Sequence, residues 1–165
     1  MTNSNITVAN NHCYFEDAIV GYTTSAYDHT ISEDEIIAFA KQWDPMPFHV
    51  DIEAAKLSPY AGLTASGAHI YAIFVKLAHL QKRKMAVIAA LGVKDMSFLQ
   101  PVRPDDILHL EGECINARES SSKPDRGICE FLFKVINQHN DIVLQLAQPI
   151  MLAKKNSGLD VFSRI

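Results

Sequence analysis

Asp44 and His49 lie five positions apart in the stretch W-D-P-M-P-F-H-V-D, Trp43 to Asp51, with Pro45 and Pro47 between them. A carboxylate and an imidazole at this spacing can orient one water molecule, one partner abstracting a proton while another proton is delivered nearby. General acid–base assistance of this kind contributes typically ~10²–10⁴-fold. It needs both side chains in fixed places, and the prolines remove backbone freedom between them in advance. Further on, Ser66, Gly67 and Ala68 open a helical pattern. The first N–H groups of a helix have no intrahelical partner and point out of its N-terminus. With no side chain at Gly67, a carbonyl oxygen can approach that amide closely, as an oxyanion hole requires. Losing one such donor costs on the order of 10²–10³ in rate. Taken singly, Asp44 reads as a helix-terminating acid, His49 as a histidine bonded to backbone, and Gly67 as a close-packing glycine. Their combination points to chemistry.

The surrounding pattern must position these groups. Ser32 with Glu35 three residues on reads as a capping box, and Ile36, Phe39, Ala40 and Trp43 follow at helical spacing until Pro45 stops the helix. Asp44 therefore falls at a helix end, before a proline that pushes it toward an extended backbone. Upstream, Ile19 to Thr30 is rich in β-branched and aromatic residues, as in a first strand or extended arm. Downstream, Asp51 caps a short helix to Lys56, and Ser58 to Leu63 is a turn punctuated by Pro59 and Gly62. The longest helical signal runs from Ala65 to about Lys82, with Ile70, Ile73, Phe74 and Leu77 as its stripe. Tyr71 and Val75 make it nearly apolar all round, so the expectation is a central, buried helix. The basic run Lys82-Arg83-Lys84 is expected at its C-terminal end, where cations are favourable.

Beyond that helix the period changes to two. Val87 to Leu99 reads as a strand with a bulge near Gly92, followed by a turn at Pro101 to Asp106. Ile107 to Ala117 alternates, with Glu111 and Glu113 on one side, and Ile128 to Asn137 does the same. Gln138 to Asp141 is a hairpin turn, and in the last strand, Ile142 to Leu152, Pro149 favours an edge or a bulge. Helices gathered early and meandering strands late give an α+β fold, with an antiparallel sheet wrapped around one long central helix.

Bulk properties narrow the function. The chain has 165 residues, 48% of them apolar, enough for one globular core, and no internal repeat or linker divides it. A net charge of −4 gives no electrostatic reason to expect nucleic acid or an anionic membrane as partner. Cys13, Cys114 and Cys129 form neither a disulfide framework nor a C-x-x-C pair, and the last two read as buried strand residues. His12, His29, His109 and His139 have no metal-ligand spacing, so no metal is expected; His69 and His79 ride on the long helix. There is no P-loop or dinucleotide fingerprint. The first residues lack the basic start and apolar run of a signal peptide, so a soluble cytoplasmic protein is expected, with residues 1–12 a loosely ordered extension.

The string D-P-M-P-F-H-V-D, then Ala54-Ala55, then P-Y-A-G-L-T-A-S-G ending at Gly67, resembles the signature of the MaoC-like dehydratase family, of the (R)-specific enoyl-CoA hydratase type. Gly92 to Asp106 resembles the family's strand and turn beyond the central helix, so the likeness spans roughly Ile31 to Leu110. The resemblance implies a single hot-dog domain over 1–165, with Asp44 and His49 as catalytic pair and Gly67 as oxyanion donor. It further implies reversible syn hydration of the trans-2 double bond of an acyl-CoA thioester to the (R)-3-hydroxyacyl-CoA. Coenzyme A is then part of the substrate, no separate cofactor is implied, and the chain is expected to form a homodimer or higher homo-oligomer. One departure is Met46, which stands where characterised hydratases commonly carry asparagine. Arg103 reads by default as a surface charge at a turn, or as a group able to meet a coenzyme A phosphate. Two alternatives use the same scaffold: an acyl-CoA thioesterase, in which water attacks the thioester carbon, and a catalytically silent acyl-binding protein.

Overall fold

The computed structural model describes residues 11–26 and 28–162. In chain order its elements are β1 (His12–Cys13), β2 (Thr23–Ser25), β3 (His29–Thr30), α1 (Glu33–Trp43), α2 (Pro47–Val50), α3 (Ile52–Lys56) and α4 (Gly67–His79). The strands β4 (Lys84–Met85), β5 (Val87–Ala90), β6 (Lys94–Phe98), β7 (Ile107–Glu119), β8 (Arg126–Ile136) and β9 (Ile142–Ala153) follow. The main sheet is antiparallel and runs β2-β7-β8-β9-β5, with β3 also on β7 and β6 also on β9.

The period-two alternation places the inner face. Leu108, Leu110 and Cys114 on β7 are fully buried, as are Cys129, Phe131 and Val135 on β8, while Glu111 and Glu113 are exposed. Against this face lies one side of α4, with Ile70, Ile73, Phe74 and Leu77 buried and Phe74 5.3 Å from Phe133 between ring centroids. This is the α+β hot-dog architecture, a sheet wrapped around one helix. The N-terminal segment packs on the same core. The Ala18 carbonyl accepts from the Cys114 and Cys129 thiols, each at 3.3 Å. All three cysteines are free and buried, and burial pushes the Cys129 thiol up to about 12. Such thiols are inert rather than nucleophilic.

Four details differ from the sequence expectation. The long helix spans Gly67–His79 rather than 65–82, and its outer side, including Ala68, Ala72, Val75 and Lys76, is exposed. The helix is thus buried on one side only, although apolar residues continue round to the exposed one. The run Lys82-Arg83-Lys84 is not its C-terminus: Lys82 and Lys84 donate backbone N–H groups to the Ser25 and Asn11 carbonyls, so strand pairing takes over these residues. Val87 to Leu99 is two strands, broken where Gly92 adopts φ +142°, and the register irregularities lie on either side of it, between Val87 and Ala89 and between Lys94 and Ser97. Finally, β9 is an interior strand despite Pro149. Leu91 N–H donates to the Pro149 carbonyl, so the missing proline N–H faces the same side, at the break between β5 and β6. The only ladder bond given up there is the reciprocal one to the Leu91 carbonyl.

Of the proposed N-terminal extension, residues 1–10 lie outside the described residues, whereas His12 pairs with Lys84. Among the described residues no helix is long and apolar enough to cross a membrane.

Candidate functional site

α1 delivers the acid. Ser32 Oγ accepts from Glu35 N–H at 3.1 Å, and Glu33, Asp34 and Glu35 place negative charge at the positive end of the helix. The capping box is only half made, because the Glu35 carboxylate turns to His29 Nε2 (3.1 Å) and His69 Nε2 (3.3 Å) instead of back to Ser32. Ile36 and Ala40 bury one side of α1. At its end Asp44 N–H closes on the Ala40 carbonyl at 2.9 Å, and Pro45 prevents another turn.

The chain then reverses in a few bonds. Met46 N–H donates to the Asp44 carbonyl at 2.8 Å, and Pro47 takes the first position of α2, where its missing N–H is not needed. This one-turn helix carries His49 inward and was not legible in the sequence. Met46 is its N-cap and supplies no side-chain hydrogen bond. An asparagine at that position has a cap acceptor that methionine lacks.

The geometry of the pair is specific. His49 Nδ1 lies 2.6 Å from the Thr64 carbonyl oxygen. A carbonyl has no proton to give, so Nδ1 carries the hydrogen, and in the neutral ring Nε2 presents a lone pair. That Nε2 is 3.7 Å from Asp44 Oδ2, with the imidazole 9% and the carboxylate 38% exposed. The gap is too long for a direct hydrogen bond and leaves both acceptors near enough to take hydrogens from one water beside them.

Gly67 is tied to the same region through backbone. Thr64 N–H donates to the Phe48 carbonyl at 3.3 Å, so the Thr64 peptide is strapped to α2 in both directions, three residues ahead of Gly67. Ser66 caps α4, its Oγ accepting from His69 N–H at 3.2 Å. Gly67 N–H heads the helix and makes no hydrogen bond within the described residues. A Cβ built on Gly67 would stand 3.0 Å from the Phe98 ring, so a larger residue would require this half-exposed aromatic from β6 to give way by a few tenths of an ångström.

His69 is a buried histidine of the α1–α4 contact, stacked on Phe39 at 4.3 Å. Burial holds it below its usual range despite Glu35, and its Nδ1 has no partner within the described residues. One turn beyond Gly67 begins a cavity of about 670 Å³ that follows α4 from Tyr71 to His79, lined also by Phe133, Ile150 and Phe162. Neither this cavity nor the Thr64 carbonyl had a sequence signal: one is a gap between distant elements, the other a main-chain atom. Among the described residues no group of three or more His, Cys, Asp or Glu side chains is arranged to hold a metal ion.

Comparisons with known proteins accord with this fold. The family model described as MaoC like domain matches residues 16–127. The uncharacterized protein YdeM of Bacillus subtilis (strain 168) is 30% identical over 125 residues, covering 74% of this chain and 86% of that protein. Among solved structures, a MaoC-like dehydratase from Rhodospirillum rubrum superposes with a TM-score of 0.80 at 32% identity, over 87% of this chain and 98% of the other. An R-hydratase from Pseudomonas aeruginosa superposes at 0.70 with 22% identity, over 87% of this chain and 88% of the other, a likeness of fold.

Proposed function

The chain belongs to the MaoC-like domain family, and from that premise we propose that it is an enoyl-CoA hydratase/dehydratase. It adds water reversibly to the trans-2 double bond of an acyl-CoA thioester and gives the (R)-3-hydroxyacyl-CoA. The observation that carries this reading is the 3.7 Å gap between two proton acceptors, one of them an imidazole whose tautomer the Thr64 carbonyl sets.

A water beside the pair donates one hydrogen to His49 Nε2 and the other to Asp44 Oδ2, which leaves an oxygen lone pair free to attack C3. As the C3–O bond forms, the pair takes a proton from the water, and the π electrons move through C2 to the thioester oxygen. Gly67 N–H receives that charge as an enolate oxygen. The proton held by the pair is then delivered to C2, and the enolate collapses to the thioester. Because oxygen and hydrogen come from one side, the addition is syn. Dehydration runs the same steps backward.

The largely apolar cavity along α4, with Tyr71, Phe74, Val75 and Ala78 in its wall, gives room for an acyl chain. The three unpaired thiols fit work in the reducing cytoplasm. The working unit we assign is a homodimer. β6 is a sheet edge exposed along its whole length, with Met96, Phe98 and Leu99 each about half exposed beside the site. An apolar edge of this kind invites pairing with a second copy. Sedimentation at micromolar concentration should give a dimer, and a monomer there would contradict the assignment.

The activity test is a panel of trans-2-enoyl-CoAs of increasing chain length. Loss of the conjugated double bond without release of coenzyme A thiol is the expected result. Thiol release would make the protein a thioesterase, and binding without turnover would make it an acyl-binding protein.

A further inference from the structure

Arg103 does not behave as a turn-surface charge or as a free cation. Its guanidinium is turned inward, with Nη1 donating to the Gly62 carbonyl at 2.7 Å and the Leu63 carbonyl at 3.1 Å, and Nη2 donating to the Tyr60 carbonyl. One planar fork thus satisfies three backbone oxygens of a single turn. The turn also holds two backbone bonds, Ala61 N–H to the Ser58 carbonyl at 2.9 Å and Gly62 N–H to the Ala55 carbonyl at 3.0 Å, and Gly62 sits at φ +155°, with a built Cβ only 3.3 Å from Arg103 Nη1.

The next residues continue the same strap. The Val102 carbonyl accepts from Ala65 N–H at 2.9 Å and from Thr64 Oγ1 at 3.1 Å. Arg103 is in turn fixed from behind: its N–H donates to buried Asp106 Oδ2 at 2.7 Å, and Asp106 Oδ1 accepts from Gln138 Nε2 at 2.9 Å. The segment from Tyr60 to Ala65 is therefore bound to Val102 and Arg103, and it meets α2 through Thr64, whose N–H donates to the Phe48 carbonyl and whose carbonyl receives His49 Nδ1–H.

We propose that Arg103 is a positioning residue for His49: by fastening the Tyr60–Leu63 turn it holds the Thr64 carbonyl in place and so keeps Nε2 free and aimed at Asp44. The chemistry of the fork explains why arginine is needed. A lysine ammonium is a point charge on a flexible stem and cannot present two coplanar nitrogens to three carbonyls. When the turn loosens, the imidazole loses its acceptor at Nδ1, and the hydrogen is free to move to Nε2. A histidine in that state meets Asp44 with a hydrogen where the water should be.

This assignment rests on the reading of His49 as a proton-handling group, but its test does not depend on turnover. Long-range proton–nitrogen correlation spectra report which ring nitrogen of a histidine carries hydrogen, and His49→Gln identifies the His49 signals. Above neutral pH the unsubstituted protein should show His49 as the Nδ1–H tautomer. Arg103→Lys and Arg103→Met should both shift it to a mixture with Nε2–H. In the hydration assay kcat should fall by about 10–10²-fold with KM nearly unchanged, as expected for a misplaced catalytic group. Should Arg103→Met fail to give folded protein, Arg103→Lys carries the test alone. If Arg103 only braced the turn, thermal stability would drop while the tautomer stayed pure, and that result overturns the proposal. A shifted tautomer with kcat unchanged overturns it equally. If the unsubstituted protein hydrates no enoyl-CoA, the proposed reaction fails, and the spectra alone decide what Arg103 does to His49.

Discussion

Asp44→Asn should lower hydration of crotonyl-CoA, or of a longer enoyl-CoA, by about 10²–10⁴-fold while the protein stays folded. The substitution is nearly isosteric and lies at the exposed end of α1, where no buried hydrogen bond depends on the carboxylate. It replaces an oxygen that accepts from water with an amide group that also donates, so the water loses its orientation between the two acceptors. The loss should fall on kcat, because the pair touches the water rather than the coenzyme. His49→Gln should lose a comparable factor. The double variant should be hardly worse than the poorer single one, since both residues serve one water. Full activity in either single variant would remove that residue from the mechanism.

Gly67→Pro should cost on the order of 10²–10³ in kcat. Proline deletes one atom that matters, the amide hydrogen, at a helix position where it is otherwise well accepted. Ser66 already has φ −69° and ψ 155°, the extended conformation favoured before proline, so the cap of α4 survives. The ring must displace Phe98, which is half exposed on an edge strand and free to turn away. Gly67→Ala is the control, adding a Cβ against the same ring while keeping the N–H. If alanine and proline lose activity equally, the effect is steric and Gly67 is not a donor. If proline loses far more, the amide is used.

The local signals survived folding where neighbouring residues alone decide the structure. Ser32 caps α1, Asp51 caps α3 through Ala54 N–H at 2.9 Å, and the alternation of β7 and β8 sorts glutamates from leucines. Asp44 and His49 also met as their spacing suggested, because two prolines and one helix turn leave little freedom between them. What could not be read depends on partners distant in sequence. The long helix ends early because residues near Lys82 pair with Ser25 and Asn11. Pro149 sits inside the sheet because its missing donor faces the break between β5 and β6, where the neighbouring strand ends. Arg103 looks like a surface charge in P-V-R-P until the carbonyls of Tyr60, Gly62 and Leu63, some 40 residues away, are brought to it. Half the setting of His49 is main-chain oxygen, which leaves no mark on composition or spacing.

Hydration carried out in deuterium oxide reads the proposed geometry most directly, through the configuration of both new centres in the product. One water held by adjacent acceptors on one side of the double bond must add its two parts to the same face. The product should be a single diastereomer with the hydroxyl at C3 in the R configuration and deuterium at C2 placed syn to it. An S alcohol, a mixture at C2 or an anti product would mean that Asp44 and His49 do not handle one shared water.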